Sequence, residues 1–100
     1  MMNTAKTHTL LLIDDKPVNL IALKSMLEHP NRKIITSESA NEGLQILLKE
    51  KISLILVDVQ MPEMDGFDAT RAIREQEKKL NRDPVIIIAL TANALEGDKA

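Results

Sequence analysis

The sequence predicts an α/β domain, a parallel sheet with helices on both faces. Two observations carry this. Three apolar runs rich in β-branched residues, Thr9 to Ile13, Leu54 to Val57 and Val85 to Leu90, do not alternate polar with apolar, which suits strands buried on both sides. Between the strands lie stretches with apolar residues at helical spacing, so the elements alternate along the chain as β-α-β-α-β-α-β.

Taken in order, Thr9 to Ile13 is the first strand and runs into Asp14 and Asp15. Pro17 to Glu28 is an amphipathic helix with Leu20, Leu23 and Leu27 on one face. Pro17 suits its first turn, where a missing N–H costs nothing. Lys33 to Ser37 is more polar, as an edge strand would be. Asn41 to Lys51 is a second amphipathic helix, with Leu44, Leu47 and Leu48 inward. After the strand Leu54 to Val57, a third helix spans Phe67 to Lys79. Phe67, Thr70 and Ile73 are expected toward the core, with Glu75, Glu77, Lys78 and Lys79 in solvent. Val85 to Leu90 is the fourth strand, and a further helix starts near Ala94. Residues 1–8 read as a flexible tail and 1–100 as a single domain.

One hundred residues support one core, burying roughly two thirds of the surface that the unfolded chain exposes. With 44% apolar and 28% charged residues, the composition is that of a soluble globular protein. No apolar run approaches the roughly 20 residues that span a bilayer, and the first eight residues lack a signal peptide's apolar region. A cytoplasmic segment without membrane contact is expected. Zero cysteines leave oxygen or imidazole as the ligands for any cation. A net charge of −2 with no long basic run argues against direct nucleic-acid binding. Phe67 is the only aromatic residue, which excludes sites built on stacking.

Chemistry gathers where the buried strands end: Asp14 and Asp15 after the first, Asp58 after the third, Thr91 after the fourth. In open parallel sheets that carboxyl edge is where ligands bind. Three carboxylates there would repel one another unless a proton or a cation neutralises part of the charge. An oxygen-only donor set with open positions suits magnesium, Mg2+. The ion would offset the charge that keeps an aspartate nucleophile from a phosphoryl group, and attack by Asp58 would form an acyl phosphate. Thr91 could donate its hydroxyl to a phosphoryl oxygen. Singly, each residue has a plainer reading. Asp14 or Asp15 could cap the helix at Pro17, Thr91 could cap the next helix, and Asp65–Gly66 is a turn. His8 and His29 read as solvated, and the methionines as core filler. Caps, however, do not require a paired acid, a single acid and a hydroxyl on three buried strands.

Leu12-Ile13-Asp14-Asp15, the run Leu56-Val57-Asp58-Val59-Gln60-Met61-Pro62-Glu63-Met64-Asp65-Gly66-Phe67, and Ala89-Leu90-Thr91-Ala92 closely resemble the response-regulator receiver family. Receivers are themselves known cases of the carboxyl-edge rule. The resemblance implies a flavodoxin-like doubly wound sheet of strand order 2-1-3-4. It implies Asp58 as the phosphorylation site, Asp15 as a direct magnesium ligand, Asp14 assisting through water, and the Gln60 backbone carbonyl as a further ligand. Thr91 takes the place of the switch hydroxyl that reports the phosphoryl group. Pro62 and Gly66 shape the loop after Asp58, while Gln60 and Asn93 occupy positions associated with phosphoryl lifetime. The implied partner is a histidine kinase or a histidine phosphotransfer domain, and the motif's flavour is that of receivers attached to hybrid sensor histidine kinases.

The sequence departs from the family in lacking a fifth strand, its terminal lysine and a fifth helix, since it ends nine residues after Thr91. Lys99 belongs to the fourth helix and is a poor substitute. The fourth strand would then be an apolar, unpaired edge, open to dimerisation or strand exchange. Three rivals remain. A magnesium-dependent aspartyl phosphatase would want a second acid where Gln60 stands. A flavin-binding domain would want aromatic stacking. A phosphorylation-independent pseudo-receiver is favoured by the missing lysine and opposed by the intact acids. The domain itself is expected to be a phosphoacceptor rather than an enzyme.

Overall fold

The computed structural model describes residues 7–58 and 66–90. Along the chain run β1 (His8–Ile13), α1 (Pro17–Leu27), β2 (Arg32–Ser37), α2 (Ala40–Lys49), β3 (Leu54–Asp58), α3 (Gly66–Leu80) and β4 (Ile86–Leu90). The four strands form one parallel sheet in the order β2-β1-β3-β4. The class and strand order are those expected, β2 is an edge as its polarity foretold, and Pro17 opens α1. The helix expected near Ala94 lies outside the described residues.

Because side chains alternate across a strand, each central strand feeds two cores. Leu11, Ile13, Ile55 and Val57 face one way, against Ala40, Leu47, Ala69 and Ile73 of α2 and α3. Leu12 and Leu56 face the other way, against Leu20 of α1, with Leu23, Leu27, Ile34 and Leu90 around them. This double burial is why β1 and β3 read as unbroken apolar runs.

Several expectations about which side chains turn inward are corrected. In α3 the buried positions are Ala69 and Ile73, each 1% exposed, whereas Phe67 is 71% exposed. At 100° per residue, Phe67 lies roughly 120° around the helix from Ile73, so it cannot share the stripe that meets the sheet. Glu77, expected in solvent, is buried: it falls one turn beyond Ile73 on the same row. In α2 Leu48 is exposed, while Ala40 and Gly43 are buried instead. α1 is not amphipathic in the usual sense, because Val18, Ile21 and Met26 are all exposed. His8 belongs to β1 rather than to a tail, with its N–H donating to the Asn31 carbonyl at 2.9 Å.

Local chemistry fixes the element ends. Ser39 caps α2 by accepting from the Glu42 N–H at 3.1 Å, and Glu42 Oε1 in turn accepts the Glu38 N–H at 3.1 Å, a variant of the capping box. A Cβ on Gly43 would stand 2.7 Å from Ile13 Cδ1, so the glycine permits α2's close approach to β1. α3 ends on Asn81 in the left-handed region, φ 55°, with the Arg82 N–H donating back to the Glu77 carbonyl at 2.9 Å. The Arg82 guanidinium donates to the Leu47 and Leu48 carbonyls in the last turn of α2, where carbonyls lack a partner within the helix, and Gln76 Nε2 donates to the Leu44 carbonyl farther back at 3.0 Å.

β4 starts at Ile86, one residue later than expected, because the Val85 N–H is held by a side chain: Glu77 Oε2 accepts it at 2.7 Å. Arg74 Nη1 donates to both Glu77 Oε1 and the Val85 carbonyl, each at 2.9 Å. Among the described residues β4 pairs only with β3, and Ile86 and Ile88 are exposed on it.

Candidate functional site

Parallel register brings the acidic residues together. Ile13 pairs with Val57, so the residues that follow, Asp14 just past the end of β1 and Asp58 at the last position of β3, stand at the same level, and Asp15 is next in line. One carboxylate oxygen from each of Asp14, Asp15 and Asp58 lies within 4.8 Å of the others. Asp14 is 5% exposed and Asp58 9% exposed, so the cluster is partly withdrawn from water.

Asp14 is held on both oxygens. Its Oδ1 accepts the Lys16 backbone N–H at 2.9 Å and its Oδ2 accepts Asn19 Nδ2 at 3.1 Å. Its own N–H donates to the Ser37 carbonyl at 3.1 Å, tying it to the end of β2. The plain capping reading therefore fails for Asp14 in detail: Lys16 is the N-cap residue of α1, its side chain makes no cap bond, and Asp14 serves the N–H of that residue instead. Asp15 meets the Lys16 ammonium at 3.4 Å, with the lysine side chain 57% exposed.

At separations near 5 Å and an effective dielectric of about 20, each like-charged pair costs roughly 3 kcal/mol. Two donors on Asp14 and an exposed ammonium on Asp15 offset part of that repulsion. A hard divalent cation fits the remainder, because the donor set is entirely carboxylate oxygen and magnesium or calcium takes such ligands. Asp14, Asp15 and Asp58 are the described residues that could hold it. Gln60, Pro62, Asp65, Thr91, Asn93 and Lys99 lie outside the described residues. Sequence reasoning missed Asn19 and Lys16. The available signal was an amide three residues past the N-cap, where a side chain can reach back over the helix start.

The description "Response regulator receiver domain" fits this sequence over residues 10–100. The chain belongs to that family.

The receiver is 34% identical over 96 residues to the sensor histidine kinase GacS of Pseudomonas protegens, covering 96% of this chain and 10% of that protein. It is 39% identical over 102 residues to hybrid signal transduction histidine kinase B of Dictyostelium discoideum, covering 94% of this chain and 5% of that protein. The receiver thus spans a small fraction of these kinases' length. Its fold matches the response regulator TrrA of Thermotoga maritima in complex with Mg(2+)-BeF, with a TM-score of 0.73 and 29% identity over 86% of this chain and 70% of that one. It also matches the receiver domain of Ssk1 from Saccharomyces cerevisiae, solved with the histidine phosphotransfer protein Ypd1: TM-score 0.77, 28% identity, 90% of this chain and 67% of that one. The resemblance seen in the motifs and the flavodoxin-like fold are thereby met. Among the receiver's described residues the sheet has four strands.

Proposed function

We propose that this receiver is the phosphoacceptor of a two-component phosphorelay, with Asp58 as the residue that takes the phosphoryl group. The carboxylate cluster carries the proposal: Asp14, Asp15 and Asp58 converge at the carboxyl edge of the sheet, where an open parallel sheet binds its ligand. The donor is a phosphohistidine of a histidine kinase or phosphotransfer domain, a reading supported by the likeness to Ssk1 in its complex with Ypd1. An Asp58 carboxylate oxygen attacks phosphorus, the O–P bond forms as the P–N bond breaks, and the imidazole leaves with the electron pair. The domain contributes the acceptor and its surroundings rather than a turnover of its own.

Asp14, Asp15, Asp58 and the Gln60 carbonyl are the groups that hold magnesium. When bound, the ion supplies the positive charge that lets a carboxylate approach phosphoryl oxygens. The likeness to TrrA in complex with Mg(2+)-BeF supports this choice of ion. Thr91 is the hydroxyl that reports the phosphoryl group. The exposed Val18, Ile21 and Met26 of α1, a helix that begins beside the cluster, offer an apolar surface to the donor protein. The parent protein is a hybrid sensor histidine kinase with this segment in the cytoplasm, consistent with the kinases it resembles. No described helix is long and apolar enough to cross a membrane.

Intact-mass analysis after exposure to a small phosphodonor and magnesium tests the central claim. The chain, or a version extended by a further β-α unit, is expected to gain one phosphoryl group that Asp58→Asn does not. If even the extended form gains none, Asp58 is not an acceptor and the pseudo-receiver reading takes its place. Association through the side of β4 that pairs with no strand among the described residues, a strand on which Ile86 and Ile88 are exposed, is expected in light scattering as a dimer. A monodisperse monomer contradicts it.

A further inference from the structure

We propose that Asn19 is a positioning residue for the cation site, an assignment that rests on the phosphoacceptor reading above. Asp14 and Asp15 are not held alike. Both oxygens of Asp14 receive a close donor, the Lys16 N–H at 2.9 Å and Asn19 Nδ2 at 3.1 Å. Asp15 instead meets a lysine ammonium, that of Lys16, at 3.4 Å on a side chain 57% exposed. Asp14 is therefore oriented before any cation arrives, and Asn19 is the side chain that orients it.

The chemistry of the amide fixes the sense of the contact. An ionised carboxylate only accepts hydrogen bonds, so Asn19 must present its NH2 group to Asp14. Through that bond it supports a carboxylate of the site. Position matters as much as chemistry. Asn19 stands in the first turn of α1, with its own N–H on the Lys16 carbonyl at 3.0 Å. The amide is thus carried by the same turn that supplies the other donor, so both reach Asp14 from one end of α1. An ordinary first-turn side chain would bond the N-cap residue. This one passes over it to a carboxylate two residues upstream. Groups that orient metal-binding carboxylates typically change metal affinity by about 10- to 100-fold when removed.

The test is magnesium titration of the full chain by calorimetry, with thermal unfolding in cation-free buffer measured alongside. Asn19→Ala is expected to raise the magnesium dissociation constant by about tenfold or more. Alanine is a strong helix former, so α1 is retained. Asn19→Ser, polar but too short to reach Asp14, is expected to match Asn19→Ala and serves if the alanine variant does not fold. In nitrogen-15 spectra, the Lys16 amide signal is expected to move in both variants. A lower unfolding midpoint with an unchanged dissociation constant assigns Asn19 a structural role only and overturns the proposal. If the unaltered chain binds no magnesium, the cation-site reading and the proposal fall together. Tight binding by the unaltered chain and equally tight binding by both variants overturns the proposal alone.

Discussion

Glu77→Ala should be among the most damaging single changes remote from the carboxylate cluster. The Glu77 carboxylate is buried, and its Oε2 is the acceptor for the Val85 N–H at 2.7 Å. Removing it leaves a buried backbone donor without its partner, which costs about 1–3 kcal/mol. The ion pair with Arg74 adds little, because that arginine side chain is 41% exposed and such pairs are worth at most about 1 kcal/mol. Arg74 also keeps its second bond, to the Val85 carbonyl. Against these losses, alanine gains a few tenths of a kcal/mol in helix propensity. The net expectation is a loss of about 1–3 kcal/mol, which for a domain of this size is a fall of roughly 5–20 °C in Tm. Glu77→Gln keeps an acceptor for Val85 and should lose no more than about 1 kcal/mol. Chemical denaturation followed by circular dichroism measures both. A Glu77→Ala variant within about 0.5 kcal/mol of the unaltered protein, or a Glu77→Gln variant as damaged as it, would refute the claim that the Val85 N–H is what Glu77 serves.

Two further outcomes follow from burial and charge. Ile73→Ala, at a position 1% exposed, should cost about 2–5 kcal/mol, whereas Phe67→Ala, at a position 71% exposed, should stay within about 0.5 kcal/mol; the reverse order in denaturant midpoints would restore Phe67 to the core. Lys16→Met removes the ammonium that stands against Asp15. A cation no longer has to displace it, so magnesium affinity by calorimetry should rise by up to about fivefold, the equivalent of the 1 kcal/mol ceiling for an exposed pair; weaker binding would show that Lys16 assists the site.

Much of the frame was legible because its signals are local. A strand covered on both faces has no polar alternation, and Leu10 to Ile13 and Leu54 to Val57 say so directly. The acids at their ends could be assigned to one edge because parallel strands all finish on the same side of a sheet. Helix faces were less legible. The sequence offered Phe67, Thr70 and Ile73 for the inner stripe of α3 and passed over Ala69, because a periodicity of 3.6 fixes the angles between residues without saying which meets the sheet. The small Ala69 lets α3 lie close, and the large Phe67 was displaced outward. α1 misled for the opposite reason: with Val18, Ile21 and Met26 outside as well as Leu20 inside, its composition marks no single buried face.

By itself, then, the sequence determined the alternation of strands and helices, the sheet order by resemblance, and the gathering of Asp14, Asp15 and Asp58 at one edge. Those follow from chain-local patterns and from the fixed direction of parallel strands. Tertiary structure alone decided that Glu77 is buried against Val85, that Phe67 faces water, and that Asn19 holds Asp14. Each of these depends on the rotation of a helix about its axis once docked. Only contact with the sheet sets that angle, because a rotation of half a turn about the helix axis carries a side chain from solvent to core.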